Sequence, residues 1–70
     1  MMKFEKTALK AIRFRAEATG ETFMRVHDVE LDLGAPADFF DVLASLHKRG
    51  LITLHRDSDA LSLLERGRRA

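Results

Sequence analysis

The strongest constraint on the fold of this chain is a change in the spacing of its apolar residues at Gly50. The segment before this glycine has an apolar stripe at the spacing of one helical face, formed by Phe39, Val42, Leu43 and Leu46. After the glycine, the apolar runs LITLH and ALSLL flank the charged stretch RDSD, a pattern typical of two strands and a turn. The sequence therefore predicts a helix that ends at Gly50, followed by a hairpin with strands over residues 51–55 and 60–64.

The first half of the chain predicts two further helices. Residues 3–20 have an apolar side and end at a glycine, which indicates a helix. Residues 26–33 are ambiguous, because alternation of Val29, Leu31 and Leu33 suits a strand, whereas Val26, Val29 and Leu33 suit a helix. We favour a short strand over residues 23–25 and a short helix over 26–33. The third helix is expected to begin near Pro36.

Length and composition predict one small domain spanning residues 1–70, near the lower size limit for a hydrophobic core that is stable without disulfides or a bound metal. The chain is 46% hydrophobic and 33% charged, which is typical of globular proteins, and it has no cysteine for disulfides or thiolate metal sites. No apolar run approaches the roughly 18 residues that a membrane span needs. We expect a soluble, cytoplasmic protein.

Charge is segregated along the chain although the net charge is only +1. Residues 3–15 have a balance of +4, residues 16–46 a balance of −6, and residues 47–70 a balance of +3. The basic ends could face an anionic partner, and basic and acidic segments could also pair between subunits.

Enzymatic and metal-binding functions have little support in the sequence. His27, His47 and His55 have neither a nucleophile nor a metal ligand at a useful spacing. The stretch DVELDLG is similar to a calcium-binding loop, but its glycine comes one position late and Phe39 occupies the position of the final glutamate. We therefore expect no catalytic activity, no metal and no cofactor.

Residues 26–52 resemble the helix-turn-helix core of winged-helix proteins, in particular the multiple-antibiotic-resistance-type transcriptional regulators. The matching residues are Val26, Val29, Leu33, Gly34, Leu43, Leu46, Gly50, Leu51 and Ile52. Residues 63–67, LLERG, are similar to the end of the family's wing. The resemblance implies an α+β fold, a small winged helix with three helices and a two- or three-stranded antiparallel wing. The chain departs from the family at Glu30, where a small residue is usual, and at Leu64, where a threonine caps the next turn.

The resemblance also implies a DNA-binding transcriptional regulator, whose third helix enters the major groove of double-stranded DNA. The acidic residues Asp38 and Asp41 are unfavourable there, so binding is expected to rest mainly on phosphate contacts. The candidate DNA-binding residues are Lys48, Arg49, Arg56, Arg66, Arg68, Arg69 and Ser45.

Protein docking is the alternative function, since winged helices also serve as interaction modules. The adjacent Phe39 and Phe40 cannot both point to the centre of the core, and Phe14 lies off the buried side of the first helix. A homodimer or a protein partner could therefore use a surface composed of Phe14, Phe39, Phe40, Asp38 and Asp41. Asp38 and Asp41 could instead serve only to complement the dipole of the third helix.

Overall fold

The computed structural model describes residues 3–70, which form a small α+β domain with a winged-helix layout. Its elements in chain order are α1 (Lys3–Thr19), β1 (Phe23–Arg25), α2 (Val26–Asp32), α3 (Phe39–Lys48), β2 (Ile52–His55), a 3₁₀ turn (Arg56–Ser58), β3 (Ala60–Leu63) and α4 (Glu65–Arg69). The predicted fold class and element order are confirmed. The strand reading of residues 29–33 is wrong, because Val26 and Val29 of α2 pack into the core at helical spacing.

The hairpin is extended to a three-stranded antiparallel sheet by β1. The strand order is β1-β3-β2, so the first strand in the chain pairs with the last. Met24 lies opposite Leu61, and Leu61 lies opposite Leu54 on the other neighbouring strand. These three side chains share the face of the sheet that the helices cover. The pairing of β1 with β3 therefore links the first third of the chain to its last third.

The core lies between the helices and this covered face of the sheet. Its largest fully buried side chains come from every layer of the fold: Phe39, Ile12, Leu43, Leu46, Ile52, Leu61 and Val29. All four residues of the apolar stripe predicted for the third helix are buried, as expected from the helical spacing. At about 1.5–3 kcal/mol for each large apolar side chain, this burial is the main favourable contribution to folding.

The third helix begins three residues later than predicted. Gly34 and Ala35 both have positive φ angles, 78° and 49°, so the chain turns sharply after α2. The amide of Phe39 then donates to the carbonyl of Pro36, which leaves Pro36 in the turn that leads into α3. The proline therefore precedes the helix and does not lie within its first turn.

A fourth helix, α4, packs closely on the start of the hairpin and was not predicted. Its N-cap position, Leu64, offers no side-chain hydrogen bond, in agreement with the missing threonine. Gly67 is buried, and a Cβ atom at this position would lie 2.2 Å from the carbonyl oxygen of Leu51. Only a glycine lets the backbones of α4 and Leu51 approach this closely.

Polar contacts tie α1 to the two helices that pack on it. Arg15 donates to both carboxylate oxygens of Asp32 on α2, at 2.9 and 3.1 Å. This hydrogen bond is the main cause that raises the pKa of the Arg15 guanidinium. Toward α3, the buried Glu5 accepts a hydrogen bond from Ser45 and lies 3.7 Å from the guanidinium of Arg49.

None of the helices described in residues 3–70 is long and apolar enough to cross a membrane.

Candidate interaction surfaces

A groove separates the beginning of α3 from the tip of the hairpin, and we call it the α3–wing groove. It has a volume of about 300 Å³ and is lined by Val26, Phe40, Leu43, Ala44, Leu54, His55, Arg56, Asp59 and Ala60. Most of these side chains are apolar, and the polar ones lie at the hairpin end. In a DNA-binding winged helix, this face of the third helix and the wing beside it are the surfaces that contact the duplex.

Phe39 and Phe40 are adjacent in sequence, but only Phe40 lines the α3–wing groove. Phe39 is fully buried in the core, so its predicted role at an interface is wrong: the helical stripe of α3 places it against α1 and the sheet. Phe40 is 60% exposed and forms part of the groove wall. Their rings pack edge to face with centroids 5.2 Å apart, so the buried ring supports the exposed one.

The surroundings of the α3–wing groove are acidic. Asp38 and Asp41 are exposed at the beginning of α3, and Asp38 makes no side-chain hydrogen bond to the helix as its N-cap residue. The hairpin tip adds exposed Asp57 and Asp59 beside Arg56, and Arg25 of β1 lies next to the tip through its pairing with Ala60. The groove itself is lined by one guanidinium group, Arg56, and one carboxylate, Asp59. The exposed Asp38, Asp41 and Asp57 lie near its lining residues in the sequence and outnumber the one additional cation, Arg25, so the neighbourhood has a balance of −2.

Three of the predicted phosphate-binding residues meet at the other end of β2, where α3 ends and α4 begins. Lys48, Arg49 and Arg66 surround a depression whose remaining wall is Leu51, and we call this cluster the basic end. Neither Lys48 nor Arg66 forms an ion pair with any residue that the structure describes. The basic end is a continuous positive surface separate from the α3–wing groove.

The other predicted DNA-binding residues lie apart from the basic end. Arg56 is at the hairpin tip, and Arg69 is paired with Glu65 at 2.8 Å along α4. Arg68 faces a different depression that Arg13 and Glu17 also line. Ser45 is half-buried, and its hydroxyl points to Glu5 on α1 and away from the α3–wing groove. The structure therefore does not bring this predicted set together on one surface.

The exposed side of α1 forms a third surface, the α1 outer face, which consists of Lys6, Lys10, Arg13 and Phe14. Phe14 is 74% exposed, the most exposed of the large hydrophobic residues described, and it stands between two shallow depressions. On one side of the ring lie Lys6, Lys10, Arg13 and the acid Glu17, and Arg13 also donates to the carbonyl oxygen of Ala70 at 2.7 Å. On the other side lies the Arg15–Asp32 ion pair. The predicted exposure of Phe14 is confirmed.

Sequence reasoning missed two residues that shape these surfaces, Glu5 and Leu54. Glu5 is 2% exposed and occupies the buried side of α1 together with Leu9 and Ile12, at the i, i+4, i+7 spacing of one helical face. That spacing was visible in the sequence. Leu54 lies on the same face of β2 as the buried Ile52, two residues earlier. Its position in the α3–wing groove depends on how the sheet packs against α3.

The histidines have local structural partners. His55 is hydrogen-bonded to Ser62 at 2.8 Å across the exposed side of the sheet, and the ring of His47 contacts the carbonyl oxygen of Ile52 at 3.2 Å. His27 lies 3.6 Å from Glu30, one turn along α2. No group of three or more potential metal ligands occurs among residues 3–70.

Comparison of the chain with protein families, with curated proteins and with solved structures finds no match in any of the three.

Proposed function

We propose that this chain is a winged-helix interaction module that docks a protein segment in the α3–wing groove. The observation that supports this most directly is Phe40, an aromatic side chain 60% exposed at an apolar groove of about 300 Å³. Aromatic residues in apolar depressions are common energetic centres of protein interfaces, because their burial removes a large apolar area from water.

The chemistry of this surface favours a protein partner over base recognition in DNA. The exposed residues at the beginning of α3 are Asp38, Phe40, Asp41 and Ala44, whereas bases in the major groove are usually read by arginine, lysine, asparagine and glutamine. The excess of exposed carboxylates near this surface would repel the DNA phosphates on both sides of the major groove. The same acidic rim would attract a cationic protein segment.

The partner segment can be described from the groove. Its anchor is an apolar or aromatic side chain that contacts Phe40 and Leu54, and its flanks carry lysine or arginine opposite Asp38 and Asp41. A helix with such an anchor is a suitable occupant, since exposed apolar anchors of this kind pack into grooves between secondary-structure elements.

Site-specific photo-cross-linking tests the docking function. A photoreactive phenylalanine analogue at Ala44 lies in the α3–wing groove, and the same analogue at the exposed Leu31 on α2 is the matched control. We expect a discrete protein adduct from position 44 in cells that produce the protein, lost when Phe40→Ser is added and absent from position 31. Absence of any adduct at position 44 would refute docking through this groove.

Nucleic-acid binding through the phosphate backbone is the second candidate function, and the basic end is the observation that favours it. Lys48, Arg49 and Arg66 form one positive depression, so they could contact adjacent phosphates without reading bases. Such binding would be weak and would fall steeply with salt.

Fluorescence anisotropy with a labelled duplex at low salt tests this second candidate. We expect Lys48→Ala with Arg66→Ala to weaken binding several-fold and to lower the salt dependence, whereas Arg56→Ala changes little. If the protein binds one DNA sequence selectively and this binding requires Arg56 and Asp41, both proposals are contradicted. Base recognition by the third helix would then be the function. No binding to any duplex at micromolar protein would remove this candidate alone.

A further inference from the structure

We infer that the occupant of the α3–wing groove is the α1 outer face of a second copy of this chain. The inference rests on the proposed docking function and names its partner. The groove requires a partner with an exposed apolar or aromatic anchor flanked by lysine or arginine, and α1 carries both features in Phe14 and its neighbouring cations.

Charge complementarity is the first argument. The α1 outer face and its neighbouring acid Glu17 have a balance of +2, in which Lys6 and Lys10 are the cations without a hydrogen bond to Ala70, whereas Arg13 donates to the Ala70 carbonyl oxygen at 2.7 Å. The charged residues that line the α3–wing groove, Arg56 and Asp59, offset each other, and the balance of −2 around it comes from the exposed Asp38, Asp41 and Asp57 against Arg25. Contact between the two surfaces brings opposite charges together, which directs association and disfavours contact between two identical faces.

Complementary apolar anchors are the second argument. Phe14 projects from α1 with 74% of its surface exposed, and Phe40 borders a mostly apolar groove of about 300 Å³. Leaving both rings in water is costly, and insertion of Phe14 beside Phe40 and Leu54 covers both. Lys10 lies one turn before Phe14 on α1, and the exposed Asp41 directly follows Phe40 on α3, so each ring has a side chain of opposite charge beside it.

The two surfaces share no residue, so one copy presents both of them at the same time. Contact between different surfaces of identical chains is heterologous, and such contacts produce rings or extended assemblies. The buried sides of α1 and α3 pack together in the core of each copy and stay unchanged, because only the outer sides take part.

Light scattering after size-exclusion chromatography of the variants Phe14→Ser and Phe40→Ser tests the inference. The control is Leu31→Ser, which removes a hydrophobic residue that is as exposed as Phe40 and lies outside both surfaces. We expect wild type and Leu31→Ser to have a mass above one chain that rises with concentration. Phe14→Ser and Phe40→Ser should each be monomeric and should keep wild-type circular dichroism.

Mixing the two monomeric variants is the decisive step. The Phe14→Ser chain retains an intact groove and the Phe40→Ser chain retains an intact Phe14, so the mixture should form a one-to-one complex that grows no further. A wild-type protein that stays monomeric, or a mixture that forms no complex, overturns the inference.

Cross-linking from Ala44 separates this failure from a failure of the docking function. An adduct of twice the chain mass supports self-association. An adduct with a different protein, together with a monomeric wild type, keeps the docking function and overturns the second copy as the occupant. No adduct and a monomeric wild type overturn both.

Discussion

At the scale of single residues, the adjacent Phe39 and Phe40 differ in role: Phe39 contributes to stability, and Phe40 is available for contacts at the surface. Phe39 is fully buried among α1, α3 and the sheet, whereas Phe40 is mostly exposed. Removal of a buried aromatic ring leaves a cavity, and removal of an exposed ring does not.

We therefore expect Phe39→Ala to lower the free energy of unfolding by about 3–5 kcal/mol, enough to unfold much of a small domain. Phe40→Ala should change it by less than about 1 kcal/mol. Urea denaturation followed by circular dichroism measures both, and Phe39→Leu provides a milder variant if Phe39→Ala does not fold. Equal costs for Phe39→Ala and Phe40→Ala would contradict this assignment of core and surface.

Gly67 is a second residue whose role depends on close contact. An alanine Cβ at this position would lie 2.2 Å from the carbonyl oxygen of Leu51 and 2.8 Å from Leu63, so α4 would have to move away from the hairpin. We expect Gly67→Ala to destabilise the protein by about 1–3 kcal/mol, although alanine is the better helix former. Arg68→Ala, an exposed substitution in the same helix, is the control and should have little effect in the same denaturation experiment.

At the scale of elements, Glu5 connects α1 to the end of α3. Its carboxylate is almost completely buried, accepts a hydrogen bond from Ser45 and lies 3.7 Å from the half-exposed guanidinium of Arg49. A positive charge beside a buried carboxylate offsets part of the cost of its burial, so Arg49 favours this packing of α1 on the end of α3.

We expect Arg49→Ala to destabilise the protein by about 1–2 kcal/mol, a value reduced by the partial exposure of Arg49 to water. Lys48→Ala, at the adjacent position, should cost less than about 0.5 kcal/mol. In a double-mutant cycle with Glu5→Gln, the cost of Arg49→Ala should largely disappear, because the glutamine has no charge to compensate. An unchanged cost in the glutamine background would show that Arg49 stabilises α3 by another route.

At the scale of the whole molecule, the surfaces differ in sign. The α3–wing groove lies in negative surroundings, whereas the α1 outer face and the basic end are positive. A net charge of +1 conceals this separation. The proposed self-association uses the negative groove and the α1 outer face, and it leaves the basic end available to an anionic partner.

Charge reversal tests this arrangement. We expect Asp41→Lys or Lys10→Glu alone to weaken self-association about two- to fivefold, in line with one partly exposed ion pair. A mixture in which Asp41→Lys supplies the groove and Lys10→Glu supplies α1 should recover part of the loss, and 0.5 M salt should reduce all these differences. Sedimentation velocity measures the association constants. Full association of both single variants would exclude these charges from the contact.

The sequence by itself determined most elements of this protein, although not α4 or the start of α3. Apolar spacing reports which face of each segment is buried, and the glycines at the ends of the helices mark where each stops, so α1, β1, α2 and the hairpin were predicted near their observed bounds. The buried stripe of α3 and the exposure of Phe14 followed from the same periodicity. These properties are local, and local spacing is what a sequence displays directly.

Only the tertiary structure decided which surfaces exist. The basic residues of 47–70 are close in sequence, yet the length of β2 separates Arg56 at the hairpin tip from Lys48 and Arg66. Ser45 was predicted to face DNA, but the packing of α1 on α3 turns it toward Glu5, 40 residues earlier in the chain. Such contacts join segments that are far apart in sequence, and their geometry depends on the packing of the whole core, which no local pattern contains.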